Sequence, residues 1–308
     1  MHAAVVTSFD SPPLYAEHPD PVAEGANEMV VDVVAAGLHM LVKSRAAGTH
    51  YSPGGTLPLV PGVDAVVRDP DGNLRYAALD DADLGTFAER TVIDPRRSVV
   101  LPAGIDPVRI AAGMNPAMSS WVALRRRIAF RPGQSVAILG ATGSAGRMAV
   151  QISKHFGAAR VIAVGRDVSQ FAELRDLGAD ETITFDETDR AADVDVVIDY
   201  VWGEPSARAM MSIVRARPDR AAPLDWIEIG SVAGPDLTLP GALLRAARLQ
   251  ICGSGIGSVG AADFLAELPE LAEALHTGII DVQARAVPLS RVAETWGDPA
   301  RPRTVYVP

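Results

Sequence analysis

Two hydropathy grammars divide the chain. Up to about residue 110 the apolar stretches are short and cut by Pro and Gly. Met29-Val30-Val31-Asp32-Val33-Val34 reads as a strand rich in β-branched residues, and Phe87 to Ile93 reads as another. Turn-forming clusters separate them: Ser52-Pro53-Gly54-Gly55, Pro58, Pro61-Gly62 and Asp69-Pro70-Asp71-Gly72. Turns this closely spaced predict a small β-barrel or sandwich-like unit. Beyond that point apolar strands alternate with helical segments. Strands are predicted over 135–139, 160–164, 182–185, 194–198, 226–229 and 249–252. Helices are predicted over 118–130, 147–156, 169–177 and 207–217, two of them closed by Gly157 and Gly178. Such alternation predicts a parallel sheet with helices on both faces. A helix over 261–276, crossing Pro269, and strands over 282–287 and 304–307 are read as the chain returning to its first unit.

Composition narrows the classes. A chain of 308 residues with 48% hydrophobic and 21% charged positions can build sizeable cores and excludes global disorder. The net charge of −10 argues against a bulk nucleic-acid surface. No apolar run reaches the roughly 18 residues of a membrane span, and the first residues lack the pattern of a secretory signal. The expectation is a cytoplasmic protein with no nucleic-acid or membrane partner. One cysteine, Cys252, excludes a disulfide framework within the chain and every multi-cysteine zinc lobe.

The strongest chemical signal is Gly140-Ala141-Thr142-Gly143-Ser144-Ala145-Gly146, which follows an apolar strand and opens an amphipathic helix. The first glycine permits the turn, the second leaves room for a pyrophosphate, and the third lets helix pack on strand. The helix N-terminus then faces the phosphates. No Lys-Ser/Thr follows, so a P-loop is excluded. The second strand separates NAD from NADP, because an acidic residue at its tip binds the ribose 2′-hydroxyl. Here Gly165 takes that place, Arg166 can neutralise a 2′-phosphate, and Asp167 stands one position further on. The expected cofactor is NADPH. Tyr200 and Val201 follow the strand ending at Asp199. Gly230, Ser231, Gly253 and Ser254 end the next two strands, and all six are expected at the cofactor.

These segments together resemble the medium-chain dehydrogenase/reductase superfamily, in its zinc-free quinone oxidoreductase branch. The resemblance spans nearly the whole chain. It is carried by Ala35-Ala36-Gly37-Leu38, Pro58-Leu59-Val60-Pro61-Gly62-Val63-Asp64, Gly85-Thr86-Phe87-Ala88-Glu89, Arg131-Pro132-Gly133, the glycine loop, Leu177-Gly178-Ala179-Asp180, Val197 to Gly203 and Thr304 to Pro308. It implies an α/β protein in which a doubly wound Rossmann sheet is inserted into a GroES-like, β-barrel-type domain. The expected divisions are 1–112 (GroES-like), 113–256 (Rossmann) and 257–308 (return). It further implies a homodimer, a cleft between the domains, and hydride transfer from NADPH to a small-molecule quinone or to the C=C bond of an α,β-unsaturated carbonyl compound.

Zinc is tested on the residues the resemblance aligns. The three ligand positions of zinc-dependent relatives carry His39, Val63 and Met114-Asn115. A catalytic zinc takes three protein ligands, so none is expected. Other departures bear on the pocket. His39 and Val42 stand where zinc-free relatives often carry Asn and Asp. The segment from Val67 to Leu84 is short and is expected to lack a barrel strand. Gln170 replaces a lysine that often holds the 2′-phosphate, and Arg301 or Arg303 can assist. Polarising the acceptor carbonyl calls for a donor, and the catalytic candidates are His39 and Tyr51. Two rivals stay open, an enoyl-thioester reductase and a non-catalytic NADPH-binding sensor or interaction protein.

Overall fold

The computed structural model describes residues 1–49, 56–79, 84–255, 257–299 and 301–308. Along the chain run β1 (His2–Val5), β2 (Leu14–Glu17), β3 (Met29–Gly37), α1 (Met40–Ala46), β4 (Asp64–Arg68), β5 (Leu74–Ala78), β6 (Arg90–Ile93), β7 (Ser98–Val100) and α2 (Pro107–Val122). Then follow β8 (Ser135–Leu139), α3 (Ser144–His155), β9 (Arg160–Val164), α4 (Phe171–Asp176), β10 (Glu181–Ile183), β11 (Val196–Asp199), α5 (Gly203–Ala216), β12 (Leu224–Glu228), α6 (Gly241–Ala246) and β13 (Leu249–Gly253). The chain closes with α7 (Ala261–His276), β14 (Ala284–Pro288), α8 (Val292–Thr295) and β15 (Arg303–Val307). Two compact units result. One comprises Met1–Asn115, Leu265–Gly278 and Val282–Pro308, and the other Pro116–Phe264 and Ile279–Asp281.

The first unit is the β-rich one. A seven-stranded sheet runs β14-β15-β3-β4-β5-β7, with β6 also on β3, and β1–β2 form a separate antiparallel hairpin. The C-terminal β15 lies antiparallel to β3, pairing Val305 with Gly37, which brings residues distant in sequence together. Its core includes Val31, Val33, Phe87 and Tyr306, with the Phe87 and Tyr306 rings edge to face at 5.0 Å. The short segment after Val67 does supply a strand. β5 pairs antiparallel with β4 and β7, against the expectation that this region lacks one. The turn Asp69–Asn73 makes this possible, because the Asp69 carboxylate accepts from the Asp71 and Asn73 N–H groups.

The second unit is a six-stranded, all-parallel sheet in the order β10-β9-β8-β11-β12-β13. Strands β8, β9 and β11 are nearly continuous runs of buried aliphatic residues, as strands covered on both faces require. Strand order reverses on either side of β8, so a topological switch point lies at the carboxyl ends of β8 and β11. Trp121 packs here edge to face on Phe156, with centroids 4.6 Å apart. The basic run Arg125-Arg126-Arg127 is tied to the same unit. Arg126 pairs with Asp263 at 3.0 Å, and Arg127 donates to the carbonyls of Gly253 and Ser258.

Candidate functional site

The glycine loop takes the shape that the spacing implies. Gly140 has φ +82°, and a Cβ on Gly146 would stand 2.4 Å from the Gly140 carbonyl oxygen. Only a glycine lets α3 lie this close to the end of β8. Not every loop residue faces a ligand. The N–H groups of Gly140 and Ala141 both donate to the Val164 carbonyl, and that of Gly143 donates to Gly140. These three residues shape the cradle. The N-terminal turn of α3, which a helix presents to an anion, is here Ser144, Ala145 and Gly146.

The tip of β9 bears directly on the cofactor. Gly165 is closed in by Thr142, whose Cγ2 would lie 2.8 Å from any Cβ there. A side chain at that place would have to displace Thr142. Asp167, the position after Arg166, is already committed. Its carboxylate accepts from the Ser169 N–H, the Ser169 hydroxyl and the Gln170 amide, capping a short 3-10 turn, and these bonds lower its pKa. Arg166 is exposed, and no hydrogen bond or ion pair holds it among the described residues. This set fits a 2′-phosphate better than a 2′-hydroxyl.

The loops after β11, β12 and β13 crowd the same edge of the sheet. Tyr200 and Val201 abut Gly140, where a Cβ would lie 3.4 Å from Tyr200 Cβ and 3.0 Å from Val201 Cγ2. The Tyr200 hydroxyl donates to Ser119 Oγ at 3.0 Å, while Ser119 itself donates to the Pro116 carbonyl. Burial pushes the Tyr200 pKa up to about 12. Gly230 lies against the Tyr200 carbonyl, and Ser231 is exposed beside it. At the end of β13 the Gly253 carbonyl is taken by Arg127, and Ser254 is buried with its N–H on the Glu228 carbonyl.

In the first unit His39 caps α1 and is 3% exposed. Its placement depends on Gly37, since a Cβ there would collide with the imidazole at 2.7 Å and with the Ala111 carbonyl at 2.3 Å. Arg303 donates from Nη1 to His39 Nδ1 at 3.1 Å and to the Leu38 carbonyl at 3.1 Å. Nδ1 is therefore the acceptor, and the ring proton sits on Nε2. That Nε2 faces Asp64 Oδ1 at 3.3 Å but makes no aligned hydrogen bond. The other carboxylate oxygen accepts from the Tyr76 hydroxyl at 2.7 Å. Burial lowers the Arg303 pKa to about 10, against the opposing pull of Asp64. Tyr51 lies outside the described residues. Sequence reasoning singled out His39 and Arg303 separately but missed Asp64 and Tyr76 as their partners. The signal available was Asp64 within an otherwise apolar stretch, Val63-Asp64-Ala65-Val66-Val67.

A β-rich unit continued by the C-terminal segment, with a doubly wound dinucleotide-type sheet between, defines the architecture of medium-chain dehydrogenases/reductases. No family model matches the chain. It is 30% identical to the probable NADPH-dependent quinone reductase tdiC of Emericella nidulans, across 97% of each chain. It is 27% identical to the chloroplastic NADPH-dependent alkenal/one oxidoreductase of Arabidopsis thaliana, over 52% of this chain and 45% of that one. Among solved structures, a probable oxidoreductase from Mycobacterium abscessus superposes with a TM-score of 0.80 and 27% identity, covering 100% of this chain and 99% of that one. The quinone oxidoreductase from Thermus thermophilus gives a TM-score of 0.84 over 100% of both chains at 23% identity, which speaks to the fold. The chain belongs to the medium-chain dehydrogenase/reductase superfamily, in its quinone-oxidoreductase-like branch.

Proposed function

We propose that the protein is an NADPH-dependent reductase delivering hydride to a quinone or to the activated C=C bond of an α,β-unsaturated carbonyl compound, without zinc. The observation that carries the cofactor choice is the tip of β9, with an exposed Arg166, a Gly165 covered by Thr142 in the place of an acid, and an Asp167 spent on capping. The acceptor class is supported by the near full-length relative named a probable NADPH-dependent quinone reductase, and by the partial match to an alkenal/one oxidoreductase.

Bound NADPH supplies the hydride. The chain's own contribution is to hold the cofactor and exclude water. Ser144, Ala145 and Gly146 turn the N-terminal end of α3 toward the pyrophosphate, and Arg166 meets the 2′-phosphate. Arg303 keeps the His39 proton on Nε2; that N–H is buried 3.3 Å from Asp64 Oδ1, so its donation to an acceptor oxygen requires the ring to turn away from Asp64 when substrate binds. Tyr51 is the second candidate donor. If neither His39→Ala nor Tyr51→Phe lowers kcat/KM by more than about threefold, both are packing residues.

Zinc independence is supported by chemistry. Val63 and Met114 offer no carboxylate, imidazole or thiolate, and a guanidinium stands 3.1 Å from the one imidazole present. Activity is expected to survive exhaustive dialysis against a chelator, with zinc by elemental analysis well below one per chain. The reading extends to a cytoplasmic homodimer.

The deciding experiment follows NADPH oxidation at 340 nm with a benzoquinone, a naphthoquinone, a 2-alkenal, a cyclic enone and an enoyl thioester, each repeated with NADH. Saturable turnover of a quinone or enone with NADPH is the expected result. Turnover of the thioester alone would move the assignment to an enoyl-thioester reductase. Silence with intact NADPH binding would move it to a non-catalytic binding protein.

A further inference from the structure

Strand β11 is an apolar run that ends in a fully buried acid, Val196-Val197-Ile198-Asp199. Four donors converge on that carboxylate. Oδ1 accepts from the Val201 N–H at 2.8 Å, the Trp202 N–H at 3.0 Å and the Ser206 hydroxyl at 2.9 Å. Oδ2 accepts from Trp226 Nε1 at 3.0 Å. None of the four is a cation, and burial raises the Asp199 pKa in spite of them. An unpaired charge is costly in such a place, and an apolar residue would end the strand at less cost. What the acid does that an apolar residue cannot do is fold the next four residues.

One of those residues is held in a strained conformation. Trp202 has φ +53° and ψ −162°, a region that side chains other than glycine rarely enter, and Gly203 follows at φ +62°. The bond from the Trp202 N–H to Asp199 holds the tryptophan there. The turn so formed locks the neighbouring loops. Val201 sets the wall against Gly140, its carbonyl accepts from the Ala233 N–H at 2.9 Å, and a Cβ on Gly203 would meet the Ala233 carbonyl at 3.0 Å. The Asp199 backbone carbonyl takes the N–H groups of Ile229 and Gly230. One residue thus ties together the loops after β8, β11 and β12, at the carboxyl edge where a dinucleotide binds.

We propose that Asp199 is a positioning residue for the cofactor, whose carboxylate fixes the Tyr200–Gly203 turn as the wall beside the glycine loop. The proposal rests on the reading of this edge as the NADPH site. It differs from a merely structural role in one respect, that cofactor affinity follows the Oδ1 acceptor while thermal stability follows burial as a whole.

The test measures NADPH Kd by fluorescence titration, steady-state kcat with the accepted quinone or enone, and Tm, in the full chain. Asp199→Ala is expected to raise Kd by at least about tenfold while kcat at saturating NADPH changes by less than about threefold. In Asp199→Asn the amide keeps the Oδ1 acceptor but turns an N–H toward Trp226 Nε1. The pair Asp199→Asn/Trp226→Phe removes that donor clash, and its Kd is expected to fall within about threefold of Trp226→Phe alone. A folded Asp199→Ala protein binding NADPH within about twofold of wild type would overturn the proposal. So would a pair that recovers Tm without recovering Kd. If the alanine variant does not fold, the pair Asp199→Asn/Trp226→Phe decides, since it keeps the Oδ1 acceptor, and a Kd more than about tenfold above that of Trp226→Phe alone overturns the proposal. A wild-type protein that binds no NADPH would fail at the cofactor reading itself, and is recognised as such before any variant is made.

Discussion

Two arginines show how differently one side chain works in two places. Arg166 is exposed at the tip of β9 and unengaged among the described residues, so its value lies in a ligand. A charge-assisted bond to phosphate contributes about 1.5–3 kcal/mol, so Arg166→Ala is expected to weaken NADPH roughly ten- to hundredfold and to leave NADH unchanged. Parallel titrations with the two cofactors check this, and an equal loss for both would place Arg166 elsewhere. Arg303 is the opposite case, buried against His39 Nδ1 and the Leu38 carbonyl, with Asp64 beyond the imidazole. Arg303→Met leaves His39 Nδ1 and the Leu38 carbonyl without their donor and removes the cation nearest Asp64, which is expected to cost about 1–3 kcal/mol in urea unfolding. Adding Asp64→Asn to that variant is expected to recover part of the loss, because the orphaned charge goes with it. A single-variant cost below about 1 kcal/mol would mean that the cluster is solvated.

At the scale of elements, the glycine loop separates stability from binding. A Cβ on Gly146 meets backbone atoms that cannot give way, at 2.4 Å and 2.7 Å. Gly146→Ala must therefore push α3 away from β8, and is expected to lose about 1–3 kcal/mol of stability together with cofactor affinity. Gly143 is exposed, has φ −73°, and a Cβ there comes no nearer than 3.4 Å to the Gly140 carbonyl. Gly143→Ala is expected to leave stability within about 0.5 kcal/mol while filling the space the pyrophosphate needs. Melting curves and NADPH titrations on both variants check the contrast, and intact binding in Gly143→Ala would remove the pyrophosphate from that spot. The parallel strands were legible in the sequence because burial on both faces leaves continuous aliphatic runs such as Val136 to Leu139. The start of α2 at Pro107 was not, since Gly113 and Pro116 interrupt its pattern and only packing sustains it. Strands β1, β2 and β7 were too short to show a period. The partners of His39 were hidden for another reason. Arg303 lies 264 positions away, and only the pairing of β15 with β3 brings the two together.

For the molecule as a whole, the proposed homodimer is testable at the end of the six-stranded sheet. β13 pairs with β12 on one side, and among the described residues no strand covers the other. The bonds from Ser254 N–H to the Glu228 carbonyl and from Leu224 N–H to the Arg248 carbonyl show that even-numbered positions face β12. Residues 249, 251 and 253 therefore turn their backbone groups outward, and Arg127 already satisfies the Gly253 carbonyl. An open edge bearing the half-buried Leu249 and Ile251 is a template for another strand. In the proposed homodimer the strand expected there is the β13 of a second copy, related by a two-fold axis. Proline at an outward position removes only an N–H that the monomer does not use. Ile251→Pro is therefore expected to keep the far-ultraviolet circular dichroism of the wild type. Sedimentation equilibrium at micromolar concentration should then give twice the chain mass for the wild type and the single-chain mass for the variant. A wild type sedimenting as one chain would remove the dimer. A variant that stays paired would move the contact from β13 to another face.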